Sequence, residues 1–252
     1  MSENAGSARS ILVTGASRGI GAAIARAAAQ AGFDIAIGYL EQRAEAEGVA
    51  EDVRASGRRA VVIDADVATR DGARHVVSAA QKAFGGLYGL VNNAGIMPET
   101  PFLDIDADEW DRVIATDLSA AFHTCQSAIP GMVDQGGGVI VNISSRLGQI
   151  GWPGVVHYAA AKAGLLGLTK SLAREFGPRG VRVNAVAPGA TLTAMAADVT
   201  VGDAGARRLA EIPARRFAQP EDVAAAVVFL LSDQSAMFHG QTLCPNGGGF
   251  MP

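Results

Sequence analysis

Apolar residues fall into short continuous runs, separated by longer stretches in which they recur every three or four positions. The runs at 10–14, 34–39, 60–64, 88–92, 139–144, 181–186 and 242–244 read as seven strands. The intervening spacing predicts helices over 22–31, 43–56, 70–84, about 108–133 and 221–231. A further helix carries Tyr158 and runs on to Phe176, where Gly177-Pro178 stops it. Strands alternating with helices indicate an α/β protein whose parallel sheet is covered on both faces, with its ligand crevice at the carboxyl ends of the strands. One domain over 1–252 accommodates the whole pattern. The stretch from about 190 to 215 is alanine, glycine and polar residues, too poor in apolar positions for a core, and reads as a mobile substrate lid.

Residues at the strand ends carry the candidate chemistry. The first run ends in Gly15-Ala-Ser-Arg-Gly19-Ile-Gly21 and leads into a helix, which is the context a dinucleotide-binding turn requires. Small residues let the backbone approach a pyrophosphate, and the free amides of the following helix favour the anion. At the end of the second strand, an acidic residue would bind the ribose hydroxyls of NAD and repel the 2′-phosphate of NADP. Tyr39-Leu40 stands there instead, with Arg18 and Arg43 nearby, so the cofactor expected is NADP rather than NAD. Glu41 argues for NAD if it folds inward. Asp66, just past the third strand, is placed either to accept from an adenine amino group or to cap the next helix. Asn92-Asn93-Ala94-Gly95 closes the fourth strand with two amides and two small residues, able to brace the sheet and leave room for a ribose.

Between Ser145 and Lys162 the pattern points to catalysis. Tyr158 and Lys162 are four apart in an alanine-rich helical run, so their side chains leave one face. An adjacent ammonium favours the phenolate of a tyrosine whose free pKa is about 10. Bringing that value down by about three pH units needs about 4 kcal/mol of differential stabilisation. A tyrosine tuned in this way serves as a general acid or base, and Ser145 would give the reacting oxygen a second hydrogen bond. Tyr-x-x-x-Lys alone is a weak signal, and its weight comes from the glycine turn upstream.

Composition narrows the partners. With 252 residues, 49% of them hydrophobic, the chain has ample material for one core. A net charge of −4 and scattered arginines exclude a nucleic-acid surface and leave a small molecule as the expected partner. The first ten residues are polar, and the longest apolar run, 223–231, falls far short of the roughly 18 residues of a membrane span. A soluble cytoplasmic protein with no membrane association is expected. Cys125 and Cys244 form neither a CxxC pair nor a metal cluster, so both are expected to be buried thiols and no metal site is expected.

Taken together, Thr14 to Gly21, Asp66-Val67, Asn92 to Gly95, Ser145, Tyr158-x-x-x-Lys162 and Pro188-Gly189 with Thr193 resemble a classical short-chain dehydrogenase/reductase along almost the whole chain. Ser145 stands thirteen residues before Tyr158, the family's usual interval. The resemblance implies a single Rossmann domain with a doubly wound, seven-stranded parallel sheet. It implies that Tyr158 is the acid/base, that Ser145 orients the carbonyl, and that Lys162 lowers the tyrosine pKa and binds the nicotinamide ribose. Cofactor contacts carried over by position are Gly15, Ser17, Arg18, Gly19, Ile20, Gly21, Tyr39, Asp66, Val67, Asn93, Ala94, Gly95, Tyr158, Lys162, Pro188, Gly189, Thr191 and Thr193. The family usually completes a tetrad with an Asn where this chain has Asp117. That carboxylate is expected either to serve in its place or to pair with Lys162 and blunt its effect on Tyr158.

The segments 219–224 and 240–248 are similar to the group called 3-oxoacyl-carrier-protein reductases. Arg179 fits such a carrier, but Met132-Val-Asp-Gln135 offers no basic patch, so a free ketone, sugar or alcohol is an equal expectation. Family habit implies a homotetramer. The expected activity is hydride exchange between NADP(H) and a small carbonyl or alcohol substrate. The alternatives are an NAD-dependent sugar or alcohol dehydrogenase and a non-catalytic, redox-responsive NADP-binding protein.

Overall fold

Seven parallel strands form one sheet in the order β3-β2-β1-β4-β5-β6-β7. They are β1 (Ser10–Val13), β2 (Asp34–Tyr39), β3 (Ala60–Asp64), β4 (Gly89–Asn92), β5 (Gly138–Ile143), β6 (Val181–Val186) and β7 (Thr242–Leu243). The computed structural model describes residues 9–251, apart from the side chains of Asp198, Val199 and Ala204; the polar segment 1–8 lies outside the described residues. Helices α1 (Gly19–Gln30), α2 (Arg43–Ala55), α3 (Arg70–Phe84), α4 (Ala107–Ile114) and α5 (Ala120–Asp134) occupy the first half. Then come α6 (Leu147–Ile150), α7 (Val156–Phe176), α8 (Ala197–Thr200), α9 (Gly202–Glu211) and α10 (Pro220–Leu231).

Strand periodicity decides the two layers. Successive side chains point to opposite faces, so Ile11, Val13, Ile35 and Ile37 pack under α1, α2 and α10. Leu12, Ala36, Leu90 and Ile140 pack under α3, α5 and α7. Both faces are covered, which is why these strands read as continuous apolar runs. Strand order reverses between β1 and β4, and the crevice opens at the carboxyl ends beside that switch point.

Three expectations gain detail. The long helix expected over 108–133 is present and runs without a break through a π-helical turn, Ala115–Ser119, which carries Asp117. Such a turn widens the helix by one residue, a change that leaves the apolar spacing almost intact and so hides it in the sequence. The stretch 190–215, expected as a substrate lid, holds α8, α9 and a 3₁₀ turn at Ala194–Ala196; its alanines favour helix even with few apolar anchors. Cys125 is buried, and burial pushes its thiol up to about 12, whereas Cys244 is only half-buried. Among the described residues, no helix is long and apolar enough to cross a membrane.

Beneath the crevice runs a buried polar ladder. Thr124 Oγ1 donates to Asn92 Oδ1 at 2.6 Å, Asn92 Nδ2 to Asn142 Oδ1 at 2.9 Å, and Asn142 Nδ2 to Thr169 Oγ1 at 2.9 Å. It ties α5, β4, β5 and α7 together at a depth where unpaired groups are costly. Asn142→Leu keeps the volume but strands two partners, and should lower unfolding stability by about 1–3 kcal/mol in urea denaturation. An unchanged midpoint would show that the ladder does not hold α7.

Candidate active site

The glycine turn is fixed from the neighbouring strand. Asn93 Nδ2 donates to the carbonyls of Thr14 and Gly15 at 2.9 and 3.0 Å, while Thr14 Oγ1 accepts from the amides of Asn93 and Ala94 at 3.0 and 3.1 Å. Gly15 has φ +62°, and a Cβ there would lie 2.9 Å from Ala94 Cα, so both conformation and space require glycine. Arg18 caps α1 in extended geometry with no side-chain bond to the helix, and the amides of Gly19, Ile20 and Gly21 find no backbone acceptor among the described residues. Unfilled donors at a helix start next to a close-packed glycine turn fit a pyrophosphate. Ser17 is buried and donates to Gln42 Oε1 at 2.9 Å. Thr193 lies over Gly19: a Cβ at that glycine would lie 3.5 Å from Thr193 Cγ2.

Other cofactor candidates take mixed positions. Tyr39 is buried in the core at the end of β2, Leu40 is exposed, and Glu41 is exposed with a left-handed φ of 66°. Asp66 is exposed; its Oδ1 accepts from Ala68 N at 3.0 Å, and the cap of α3 is Thr69, which accepts from Gly72 N at 3.0 Å. Asp66 therefore shapes the turn without capping the helix. Val67 is buried behind it. The Pro188 carbonyl accepts from Arg146 N at 3.0 Å, Gly189 packs against Asn246, and Thr191 Oγ1 bonds back to Gly189 O at 3.1 Å.

From the fourth strand, the backbone leads directly to the catalytic candidates. A Cβ on Gly95 would lie 2.6 Å from Asp117 Oδ2 and 3.2 Å from Lys162 Nζ. Asp117, 2% exposed, accepts from Ile96 N through Oδ1 at 2.9 Å and turns Oδ2 toward Lys162 Nζ at 3.2 Å, as an ion pair rather than a well-aligned hydrogen bond. Lys162 donates to Ile143 O at 3.1 Å and lies 5.5 Å from the centroid of the Tyr158 ring. Ser144 Oγ bonds the Lys162 carbonyl at 2.7 Å, and Ser145 Oγ accepts from Leu147 N at 3.1 Å. Ser145, Tyr158, Lys162 and Asp117 are thus brought together, all buried.

Electrostatics correct the expected tuning of Tyr158. Burial pushes its phenol above the ordinary value; Lys162 opposes this, Asp117 adds to it, and Ser145 favours the phenolate. The physical reason is that desolvation disfavours the phenolate and a carboxylate beside the ammonium cancels much of its field. Burial works against the Lys162 ammonium, but Asp117 and Tyr158 together outweigh it and hold that group above its ordinary value. The Asp117 carboxyl is itself raised by burial, despite Lys162 and the Ile96 amide.

Sequence reading missed His157 and Glu109. His157 is fully buried; its Nδ1 accepts from Tyr158 N at 2.9 Å, and its Nε2 meets Glu109 Oε1 at 3.1 Å. That places the ring proton on Nε2 and ties α4 to the first turn of α7, holding Tyr158 in place. A histidine next to Tyr158 was visible, but no spacing rule links it to a carboxylate on α4. Among the described residues, no cluster of three or more His, Cys, Asp or Glu could hold a metal ion.

Comparison with known proteins supports the fold. The family model described as enoyl-(acyl carrier protein) reductase matches residues 15–249. The chain is 43% identical to the 3-oxoacyl-[acyl-carrier-protein] reductase FabG of Staphylococcus aureus, over 96% of this chain and 98% of that protein. A putative short-chain alcohol dehydrogenase from Sinorhizobium meliloti superposes with a TM-score of 0.91 at 41% identity, covering 96% of each chain. A putative NAD(P) dependent gluconate 5-dehydrogenase from Beutenbergia cavernae, solved with NADP bound at low occupancy, gives 0.90 at 38% identity, again covering 96% of each chain.

The buried pair has a spectroscopic consequence. In ¹⁵N-detected titration of the lysine ammonium groups, Lys162 should titrate above the ordinary lysine value, and in Asp117→Asn it should titrate at lower pH, because burial is then offset by Tyr158 alone. An identical titration in both proteins would show that Asp117 does not set the lysine.

Proposed function

The chain belongs to the short-chain dehydrogenase/reductase family and is a nicotinamide-dependent oxidoreductase of carbonyl and alcohol groups; on that premise we propose an NADP-linked enzyme in which Tyr158 handles the proton. The observation that carries this reading is the placement of Tyr158, Ser145 and Lys162 as one buried group, against the same loop that braces the glycine turn. A bound NADP supplies or accepts the hydride. Tyr158, kept protonated at neutral pH, donates its proton to the carbonyl oxygen during reduction, and Ser145 gives that oxygen a second hydrogen bond. Lys162 steadies the phenolate left behind. Asp117 keeps Lys162 charged and in place. Glycines 15, 19 and 21 with Arg18 would hold its phosphates, and Pro188 to Thr193 would hold its other end.

The NADP preference is supported by the end of β2, where no acidic residue stands at Tyr39 or Leu40, and by Arg18, which is exposed and forms no ion pair among the described residues. Glu41 is the one feature that favours NAD, through the ribose hydroxyls. Trp110 and Phe122, left exposed on α4 and α5, support assembly as a homotetramer, and we take a soluble cytoplasmic location with it.

Tyr158→Phe tests the chemistry and the cofactor in one protein. Turnover with ketone and alcohol panels should fall at least about 10³-fold, while fluorescence titration should show dinucleotide binding close to wild type and tighter for NADPH than for NADH. Retained turnover would refute the proton role; tighter NADH binding would move the enzyme to the NAD-linked alcohol or sugar dehydrogenases.

A further inference from the structure

Arg146 follows Ser145 directly and has no part in the chemistry above. Its amide is pinned to Pro188 O at 3.0 Å, which fixes it at the carboxyl edge of the sheet beside the reacting groups. The guanidinium is half-buried and donates a single bond, from Nη1 to Gly249 O at 3.3 Å, against Ile212 at the end of α9. It forms no ion pair with any described carboxylate. Four of its five N–H donors are left without a protein partner and reach the surface, free to meet a ligand.

A second cation, Arg208, stands one helical turn before Ile212, whose side chain meets Gly249 beside the Arg146 guanidinium. Arg208 on α9 lies over the Trp152 ring at 4.8 Å from its centroid, and Trp152 belongs to the stretch that leads from α6 into Tyr158. Arg208 also forms no ion pair among the described residues. The two guanidiniums feel each other: burial, then the Arg208 charge, hold Arg146 below its ordinary value, with Glu211 offsetting part of this. Two like charges held on the rim of a site in an acidic protein are a cost to the folded state. An anion bound between them would relieve it, and arginine's planar fork suits a carboxylate.

We propose that Arg146 and Arg208 form the anion-recognition pair of the substrate pocket, and that the substrate is a small oxo acid or hydroxy acid whose carboxylate docks there while its carbonyl or hydroxyl meets Ser145 and Tyr158. This rests on the oxidoreductase reading of the same site. Helix α9 then serves to carry Arg208 to the bound acid.

The test compares 3-oxobutanoate, 4-oxopentanoate and 5-oxohexanoate with their methyl esters, following oxidation of reduced nicotinamide. In the wild type, at least one acid should exceed its ester at least 10-fold in kcat/KM. Arg146→Leu should cut that ratio at least 10-fold, mainly through KM, and Arg208→Ala should cut it by a smaller factor. Arg146→Lys, which keeps the charge and loses the fork, should fall between and carries the test if Arg146→Leu fails to fold. Esters turned over as well as acids by the wild type, or an acid-to-ester ratio unmoved in the Arg146 variants, would overturn the proposal and leave the oxidoreductase reading intact. Absence of turnover with every acid, every ester and a panel of neutral ketones would instead sink that reading, and the proposal with it.

Discussion

Lys162 and Asp117 are buried side by side, 3.2 Å apart, and the arrangement of the site follows from keeping that pair satisfied. An ammonium and a carboxylate at this depth are stable only if each finds further partners. Lys162 has Ile143 O; Asp117 has Ile96 N. These two bonds join the end of β5 to the loop after β4, and the π-helical turn between α4 and α5 delivers the carboxylate to them. Gly95 is the concession that lets the loop pass so close, because a Cβ there would collide with Asp117.

The same pair decides how Tyr158 works. A lone lysine would pull the phenol down toward neutral pH, favouring a phenolate ready to take a proton. With Asp117 beside the lysine and the ring buried, the phenol stays protonated and is suited to giving one. Chemistry of this site is therefore set by a buried ion pair acting on a neutral phenol. His157, bonded to the Tyr158 amide and to Glu109, adds mechanical support.

Much of this is legible in the amino-acid pattern, for identifiable reasons. Parallel strands buried on both faces produce unbroken apolar runs, and their ends mark the crevice, so pattern alone places Gly15, Asn93, Ser145 and Pro188 correctly. Tyr158 and Lys162 are legible because helical spacing is local. The π turn at Asp117 is not, since one extra residue in a helix barely alters apolar periodicity. The direction of the Tyr158 shift is also misread from sequence, which displays a neighbouring lysine but not the depth of burial, nor which oxygen of Asp117 turns toward Nζ. Glu109 with His157, and Arg146 with Arg208, escape because they meet only through tertiary packing of distant elements.

The most direct measurement is the ultraviolet difference titration of tyrosinate, taken on the wild type and on Asp117→Asn, with the Tyr158→Phe signal subtracted to leave Tyr158 alone. Tyr158 should ionise above the ordinary tyrosine value in the wild type and at lower pH in Asp117→Asn, where burial still opposes Lys162 but the carboxylate no longer does. Ionisation of Tyr158 below that ordinary value in the wild type, or a curve indifferent to Asp117, would contradict this description of the site.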